Sequence, residues 1–171
     1  MNEYLEKLKG IEWNKAFILR IISIAMVAAL VIVIIVAMAS TGGSAKPIEE
    51  VSADAVSLFE NEYAEKASER MFKKYYGLNA ADYDGVVLYL PKSNIDAQEL
   101  LIVKCKDEVQ SAELINAIES RLDSQKNIFE SYEPEQYDLC CRAVVTERGN
   151  YILFAVHPDA ESINAAFKKA L

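Results

Sequence analysis

The stretch Leu100-Leu-Ile-Val-Lys-Cys-Lys-Asp-Glu-Val-Gln110 decides the fold, because it predicts a strand that runs directly into a helix. Its first seven residues are mostly apolar or β-branched and have the length of a strand. Asp107 follows, and Gln110 three residues later completes a capping-box pattern, which is typical of a helix N-terminus. We therefore predict a strand over 100–106 and a helix that begins at Asp107.

Further strand and helix patterns lie on either side of this stretch. The helix that begins at Asp107 is expected to end near Tyr132, before Pro134. Upstream, the run Val86-Val-Leu-Tyr-Leu90 predicts a second strand, and residues 91–98 form the loop between the two strands. The buried face of the helix is predicted from the three- and four-residue spacing of Leu114, Ile115, Ile118, Leu122 and Phe129.

The chain after Pro134 predicts a hairpin and a final helix. Residues 139–146 alternate between apolar and polar side chains, as a half-buried strand does. Gly149-Asn150 suits a tight turn, and Tyr151-Ile-Leu-Phe-Ala-Val156 is the predicted partner strand. Asp159 is the predicted cap of the last helix.

Residues 48–76 predict one long helix ahead of the first strand. An apolar row at helical spacing supports it, formed by Val56, Phe59, Tyr63, Ala67, Met71 and Tyr75. Gly77 stands at the predicted C-terminal end. The resulting order is α-β-β-α-β-β-α over 48–171, and we expect an α+β domain with a mainly antiparallel four-stranded sheet and helices packed on it.

The longest apolar run of the chain covers residues 21–39. These 19 residues carry no charge, and Ser23 is their only polar side chain. A helix of this length spans roughly 28 Å, close to the bilayer hydrocarbon thickness of about 30 Å. We therefore expect a transmembrane helix over 21–39, a short cytoplasmic segment over 1–20 and a linker over 40–47.

Basic residues around this run predict its orientation. Four precede it and one follows it before position 66, namely Lys7, Lys9, Lys15, Arg20 and Lys46. This excess places the N-terminus in the cytoplasm and the C-terminal domain outside a cell membrane that is crossed once. A secretory signal cleaved after Ala39 is the alternative, although the apolar run is longer than signal peptides usually have.

Composition excludes several classes of protein. The 171 residues include 18 Lys and Arg against 26 Asp and Glu, which gives a net charge of −8. Such acidity argues against a nucleic-acid partner, because binding to phosphates needs clustered positive charge. None of the six glycines stands in a nucleotide-binding motif, so we expect no cofactor.

The three cysteines and the single histidine have weak chemical signatures. Cys105, Cys140 and Cys141 contain no C-x-x-C motif, and with His157 they make a poor zinc set. On the predicted strands Cys105 and Cys141 share a face with apolar residues, so we expect them to be structural thiols of the core, with a cross-strand disulfide to Cys105 or a reactive Cys140 as alternatives. His157 precedes a helix, where a catalytic base could stand, but no recognisable nucleophile motif accompanies it. We assign no catalytic, cofactor or metal residue.

Arg121 and Gln125 form the core of the most specific group of polar residues. They lie one helical turn apart, and Gln125 falls on the apolar stripe of its helix, where a buried amide needs a partner. Gln125 could instead tie the helix end to the following loop, with a purely structural role. The candidate interaction residues are Arg121, Gln125, Tyr132, Glu133, Pro134 and Gln136.

A set of short motifs resembles domain of unknown function 4358, a family found in cell-envelope proteins of Firmicutes. They are Tyr75-Tyr-Gly-Leu78, Asp82-Tyr83, Arg121-x-x-x-Gln125 with Phe129 and Tyr132, Pro134-Glu-Gln136, and Gly149-Asn-Tyr-Ile152. The resemblance covers residues 50–171. It implies a small exported protein, often lipid-attached, but this chain has no acceptor cysteine near the apolar run, which favours a protein anchor. It implies no activity.

These observations give three functional hypotheses. The first is a membrane-anchored, extracytoplasmic and non-enzymatic module that binds a component or a protein partner of the cell envelope. The second is an envelope hydrolase that uses His157. The third is an accessory subunit of a membrane signalling or transport complex. For the first, Arg121→Ala is expected to weaken partner capture with little loss of stability.

Overall fold

A computed structural model describes residues 15–40 and 44–171. The chain divides into two compact units, over 1–41 and 42–171. The described part of the first unit is one helix, α1 (Lys15–Ser40).

The membrane helix predicted over 21–39 is not supported. Among residues 15–40 and 44–171, no helix is both long and apolar enough to cross a membrane. The predicted transmembrane anchor is therefore wrong. Within α1, the Ser23 hydroxyl donates a hydrogen bond to the Leu19 carbonyl at 2.9 Å.

Residues 44–171, the described part of the second unit, contain five helices and five strands. The helices are α2 (Ile48–Phe59), α3 (Glu69–Tyr76), α4 (Glu108–Phe129), α5 (Pro134–Cys141) and α6 (Ala160–Ala170). The strands are β1 (Ala64–Lys66), β2 (Gly85–Pro91), β3 (Glu99–Lys104), β4 (Val144–Arg148) and β5 (Tyr151–Val156). A short 3₁₀ turn covers Ala80–Asp82.

The strands form one antiparallel sheet in the order β1-β2-β3-β5-β4. The sheet thus has five strands and not the predicted four, while the α+β class and the antiparallel pairing are as predicted. The additional strand is β1, which pairs with the outer edge of β2.

Helices cover both faces of the sheet. Successive residues of a strand point to opposite faces, so Leu101 and Val103 pack against α3, α4 and α5, whereas Leu100 and Ile102 pack against α2 and α6. This burial on both sides explains why β3 and β5 are apolar runs rather than alternating ones.

The predicted helix over 48–76 is wrong, because the chain crosses from one face of the sheet to the other within it. Phe59 ends α2 and packs edge-on to Tyr89 on one face, whereas Phe72 of α3 belongs to the core on the opposite face. β1 makes the crossing. The apparent single stripe was two stripes that face opposite layers. Gly77 does end the helix as predicted, with φ of 76° and its N–H bonded to the Lys73 carbonyl at 3.0 Å.

The predicted strand over 139–146 is also displaced. Pro134 occupies the first turn of α5, where its missing N–H and fixed φ suit a helix start, and the helix continues to Cys141. The strand begins only at Val144. On a helix, Cys140 is buried and Cys141 is exposed, so the thiol predicted to lie in the core was the wrong one of the two.

Two other local predictions are confirmed, and a third holds for the position of the residue only. Asp107 caps α4, since its carboxylate accepts from the Gln110 N–H at 2.9 Å, while the Gln110 side chain accepts from the Lys106 N–H at 3.0 Å. Gly149 adopts φ of 60° in the turn between β4 and β5. Asp159 stands at the N-cap position of α6, but its side chain makes no capping hydrogen bond.

Candidate functional site

A completely buried carboxylate, that of Glu99, lies at the centre of the candidate site. Glu99 begins β3 and points to the same face of the sheet as Leu101. Arg121 of α4 binds it with two nitrogens: Nη2 lies 2.8 Å and Nε 3.1 Å from Oε2. The Arg121 side chain keeps 13% of its surface exposed, whereas that of Glu99 has none.

Two neutral side chains complete the binding of this carboxylate. The Tyr76 hydroxyl donates to Oε1 of Glu99, and Gln125 Nε2 donates to Oε2 at 3.0 Å. Burial and the nearby negative charge of Glu99 raise the pKa of Tyr76 well above its usual value. Tyr76 therefore remains a neutral donor at physiological pH.

Arg121 is held in its charged form and in one orientation. Burial by itself lowers the pKa of Arg121, but the charge and hydrogen bonds of Glu99 outweigh it, so that the pKa is raised. The guanidinium carbon lies 4.4 Å from the centre of the Tyr75 ring, which is a cation–π contact. Among the hydrogen bonds of the described residues, Arg121 donates only through Nε and Nη2, both to Glu99.

The same cluster holds the segment that leads into β3. The Ala97 N–H donates to Oε1 of Gln136 at 2.9 Å, and the Ala97 carbonyl accepts a long bond of 3.4 Å from Gln125 Nε2. Gln125 thus ties α4 to the start of β3, and not to the loop that follows its own helix.

A cleft of about 640 Å³ opens beside this cluster. We call it the Gln125 cleft. Arg121 and Gln125 line it from α4, and Tyr75 lines it from α3. The rest of its wall comes from β1 and the turn after it, from α3, from the end of β2 and the loop after it, and from the end of α4: Glu65, Lys66, Ala67, Ser68, Met71, Leu90, Pro91, Lys92, Ser93, Asn94, Asp96, Ile128 and Phe129.

One buried polar atom of the cleft wall has no partner. The two acceptors on Nε2 fix the orientation of the Gln125 amide, because only its nitrogen can donate to Glu99 and to the Ala97 carbonyl. Its Oε1 consequently points away from both and accepts no hydrogen bond. Gln125 is only 2% exposed, and an unpaired buried oxygen of this kind is uncommon in folded proteins.

The candidate residues from the sequence divide into two groups. Arg121 and Gln125 lie together in the cleft wall, and Gln136 contacts the adjoining segment. Tyr132 is half exposed and packs against Phe129 with ring centres 5.8 Å apart. Glu133 and Pro134 form the start of α5 and do not line the cleft.

Sequence reasoning missed Glu99, which holds the cluster together. The signal was present, because Glu99, Leu101 and Val103 share one strand face by their spacing of two, and a carboxylate in phase with buried apolar residues must find a cation. The cation that this carboxylate needed could also be seen in the sequence, since Arg121 lies beside the apolar stripe of α4. Tyr76 carried no comparable signal of its own.

His157 lies elsewhere and does not line the Gln125 cleft. Its Nδ1 accepts from the Asp159 N–H at 3.0 Å, and its Nε2 lies 3.3 Å from Asn61 Nδ2. Burial lowers the pKa of His157, while Asp159 and Asp96 partly oppose this shift. Its contacts within residues 44–171 are with Asn61, Asp159 and the Phe59 ring and include no nucleophile that it could activate, so they lend no support to the hydrolase hypothesis.

The cysteines and acidic residues form no metal-binding group within the described residues. All three thiols are free. Burial raises the pKa of Cys105, and burial together with Cys141 raises the pKa of Cys140 to about 11. Both buried thiols are therefore poor nucleophiles at neutral pH.

Comparison with known proteins places the chain in a family. No curated protein and no solved structure matches it. The model of a domain of unknown function (DUF4358) matches residues 57–157, more than half of the chain, and this range contains all of the cluster around Glu99. The resemblance predicted from the motifs is confirmed over that range. The chain therefore belongs to the DUF4358 family.

Proposed function

We propose that the domain is a non-enzymatic binding module and that its ligand occupies the Gln125 cleft. The observation that carries the proposal is the unpaired Oε1 of Gln125, held in a cleft wall by an amide whose other end is fixed. A hydrogen-bond donor of a ligand would pair with this oxygen. Because the oxygen is already removed from water in the folded protein, binding would not add the free-energy cost of desolvating it.

The ion pair beside Gln125 favours binding over proton transfer. A general acid or base must be free to exchange a proton with a substrate. Glu99 is instead enclosed by donors of three side chains, Arg121, Gln125 and Tyr76, and Arg121 is stabilised in its charged form. Such a network positions hydrogen-bonding groups rigidly, which is what a selective binding site requires.

The mixed character of the cleft wall fits a ligand with both polar and apolar parts. Met71, Ile128 and Phe129 supply apolar surface, while Ser68 and Asn94 supply uncharged polar groups. Clefts of this size and composition commonly hold small ligands or short segments of a partner.

A location in the cell envelope, outside the cytoplasm, is part of the proposal and rests on the family resemblance. Fractionation of cells that express the tagged chain tests this part by itself. The ligand is then a component or a protein partner of the envelope.

Photo-crosslinking in cells tests the binding function. A photoreactive amino acid replaces Ile128, which is half exposed in the cleft wall. A matched probe replaces Val109, which is exposed at the other end of α4 and does not line the Gln125 cleft. We expect a defined adduct, of any molecular mass, from position 128 only. Asn94→Trp fills the cleft and should abolish the adduct, whereas Asn116→Trp on the exposed side of α4 should not.

The proposal fails if position 128 gives no adduct, or if the adduct persists in Asn94→Trp. An adduct at both probe positions would indicate nonspecific contact with α4 and would also contradict it.

A further inference from the structure

We propose that the Gln125 cleft takes an uncharged ligand, because the buried carboxylate of Glu99 neutralises Arg121 in the cleft wall. This inference rests on the proposed function and adds the charge class of the ligand and the residue that sets it. Glu99 has no exposed surface and does not line the cleft, so it is a positioning residue that acts through Arg121.

The bonds of Arg121 show why this arginine does not form an anion site. A guanidinium in a cleft wall ordinarily binds a carboxylate or a phosphate with two parallel hydrogen bonds. Here that mode of binding is already used within the protein, since Nε and Nη2 of Arg121 donate to Glu99 at 3.1 and 2.8 Å. A ligand can contact only the remaining N–H groups of a cation whose charge is already paired.

The hydrogen bonds at Glu99 fit the ionised acid. Its two oxygens accept from Arg121, Gln125 and Tyr76, and within residues 44–171 each of its hydrogen-bond partners is a donor. A protonated acid would direct its own proton at an N–H or O–H group. Arg121 keeps 13% of its side-chain surface exposed and Glu99 keeps none, so water competes little for the pair.

The wall therefore disfavours a charged ligand group of either sign. Such a group would lose its water without gaining an opposite charge. A carboxylate would approach Arg121 beside Glu99, which is a like charge. An ammonium could donate to the unpaired Oε1 of Gln125, but it would lie one helical turn from the guanidinium. A hydroxyl or an amide N–H can donate to the same oxygen without adding charge.

The other charges of the cleft wall are balanced. Two basic residues, Lys66 and Lys92, are matched by two acidic ones, Glu65 and Asp96. All but Asp96 are exposed, and salt screens the field of exposed charges beyond about 8 Å at physiological ionic strength. The Arg121 and Glu99 pair is therefore the part of the wall that decides which charge a ligand can carry.

The test is a fragment screen of the full-length chain by ligand-observed NMR at about 0.15 M salt. The library consists of matched triplets on many scaffolds, and each triplet contains a carboxamide, a carboxylate and an ammonium. A cleft binder is one whose signal is lost in Asn94→Trp and kept in Asn116→Trp. We expect the cleft binders to be carboxamides, with the charged members of each triplet binding at least about tenfold more weakly.

Glu99→Gln tests the role of the buried carboxylate. The variant keeps the shape of the side chain but leaves Arg121 as an unpaired cation in the wall. We expect carboxylates to gain at least about tenfold in affinity and to become the preferred member of their triplets. The double variant Glu99→Gln/Arg121→Met is the matched control. It contains neither charge, so carboxylates should gain nothing.

The other outcomes contradict separate parts of the inference. Carboxylates or ammonium compounds that bind wild type as well as their carboxamides contradict the ligand class but leave the binding function standing. An equal effect on all three members in a folded Glu99→Gln, or a carboxylate gain that the double variant keeps, contradicts the role of Glu99. If Glu99→Gln alters the circular dichroism spectrum, the selectivity of wild type decides by itself. No fragment that depends on the cleft contradicts the inference and the proposed function together.

Discussion

Removal of the charge at Arg121 should destabilise the fold strongly, although the residue lies at a cleft. Arg121→Met keeps most of the side-chain volume but leaves the carboxylate of Glu99 without its cation. Glu99 has no exposed surface, so water cannot take the place of the guanidinium without rearrangement of the core. The paired change, Glu99→Gln, removes the negative charge and preserves the shape.

The burial of Glu99 and Arg121 determines how much each substitution should change the free energy of unfolding. Breaking a buried ion pair costs about 3–5 kcal/mol when one charge remains uncompensated. Tyr76 and Gln125 still donate to Glu99, so we expect about 3 kcal/mol for Arg121→Met. Arg121 can reach solvent through its exposed 13%, so Glu99→Gln should cost about 2 kcal/mol. The double variant buries no charge and should also cost about 2 kcal/mol, which gives a coupling energy of about 3 kcal/mol.

Urea unfolding of the four full-length proteins at pH 7, followed by far-UV circular dichroism, measures this cycle. Arg70→Met is the matched control, because Arg70 is exposed on α3 and makes no ion pair among the described residues. It should change the free energy of unfolding by less than about 0.5 kcal/mol.

Additive effects within about 0.5 kcal/mol would refute the reasoning, since independent sites behave in that way. An Arg121→Met protein as stable as wild type would refute it as well. The second result would restore the expectation from sequence, that Arg121 acts in capture of a partner without supporting the fold.

Three further predictions concern other parts of the domain. Lowering the pH from 7.5 to 5.5 should reduce the stability of wild type more than that of His157→Gln in thermal unfolding, because a lowered folded pKa withdraws stability as the pH falls below about 6.5. A maleimide should modify one thiol in the native protein and none in Cys141→Ser, since the other two cysteines are buried. Gly85→Ala should cost about 1–3 kcal/mol in urea unfolding, because its Cβ would lie 2.7 Å from Cγ2 of Ile48, and Ile48→Ala should relieve most of this cost.

The parts of the fold that the sequence predicted are those in which local pattern and burial agree. Residues 100–103 of β3 and all of β5 are apolar because both faces of the sheet are covered, and Asp107 caps α4 through residues only three apart. The predicted elements that were wrong lie where the spacing of apolar residues was compatible with more than one secondary structure. The run before Gly77 continued a helical spacing across β1, although β1 exists only because it pairs with β2.

For the candidate site, the sequence indicated Arg121 and Gln125 but not Glu99, the residue that both of them bind. The position of Gln125 on an apolar stripe showed that a buried amide needed a partner, and that partner proved to be Glu99, 26 residues away. Nothing local to Glu99 shows that α4 packs over the start of β3. Pairings of this kind depend on which helix covers which face of the sheet.

The sequence by itself determined the α+β class, the central strands, the capped helix α4 and membership of the DUF4358 family, because these depend on residue spacing and on recurring motifs. Tertiary structure decided the number of strands, the burial of Cys140 rather than Cys141, and the cleft with its unpaired Gln125 oxygen. The physical reason is that a cleft and an edge are properties of how separate elements pack. The walls of the Gln125 cleft come from different helices, strands and loops, so the sequence of no single element is sufficient to predict the cleft.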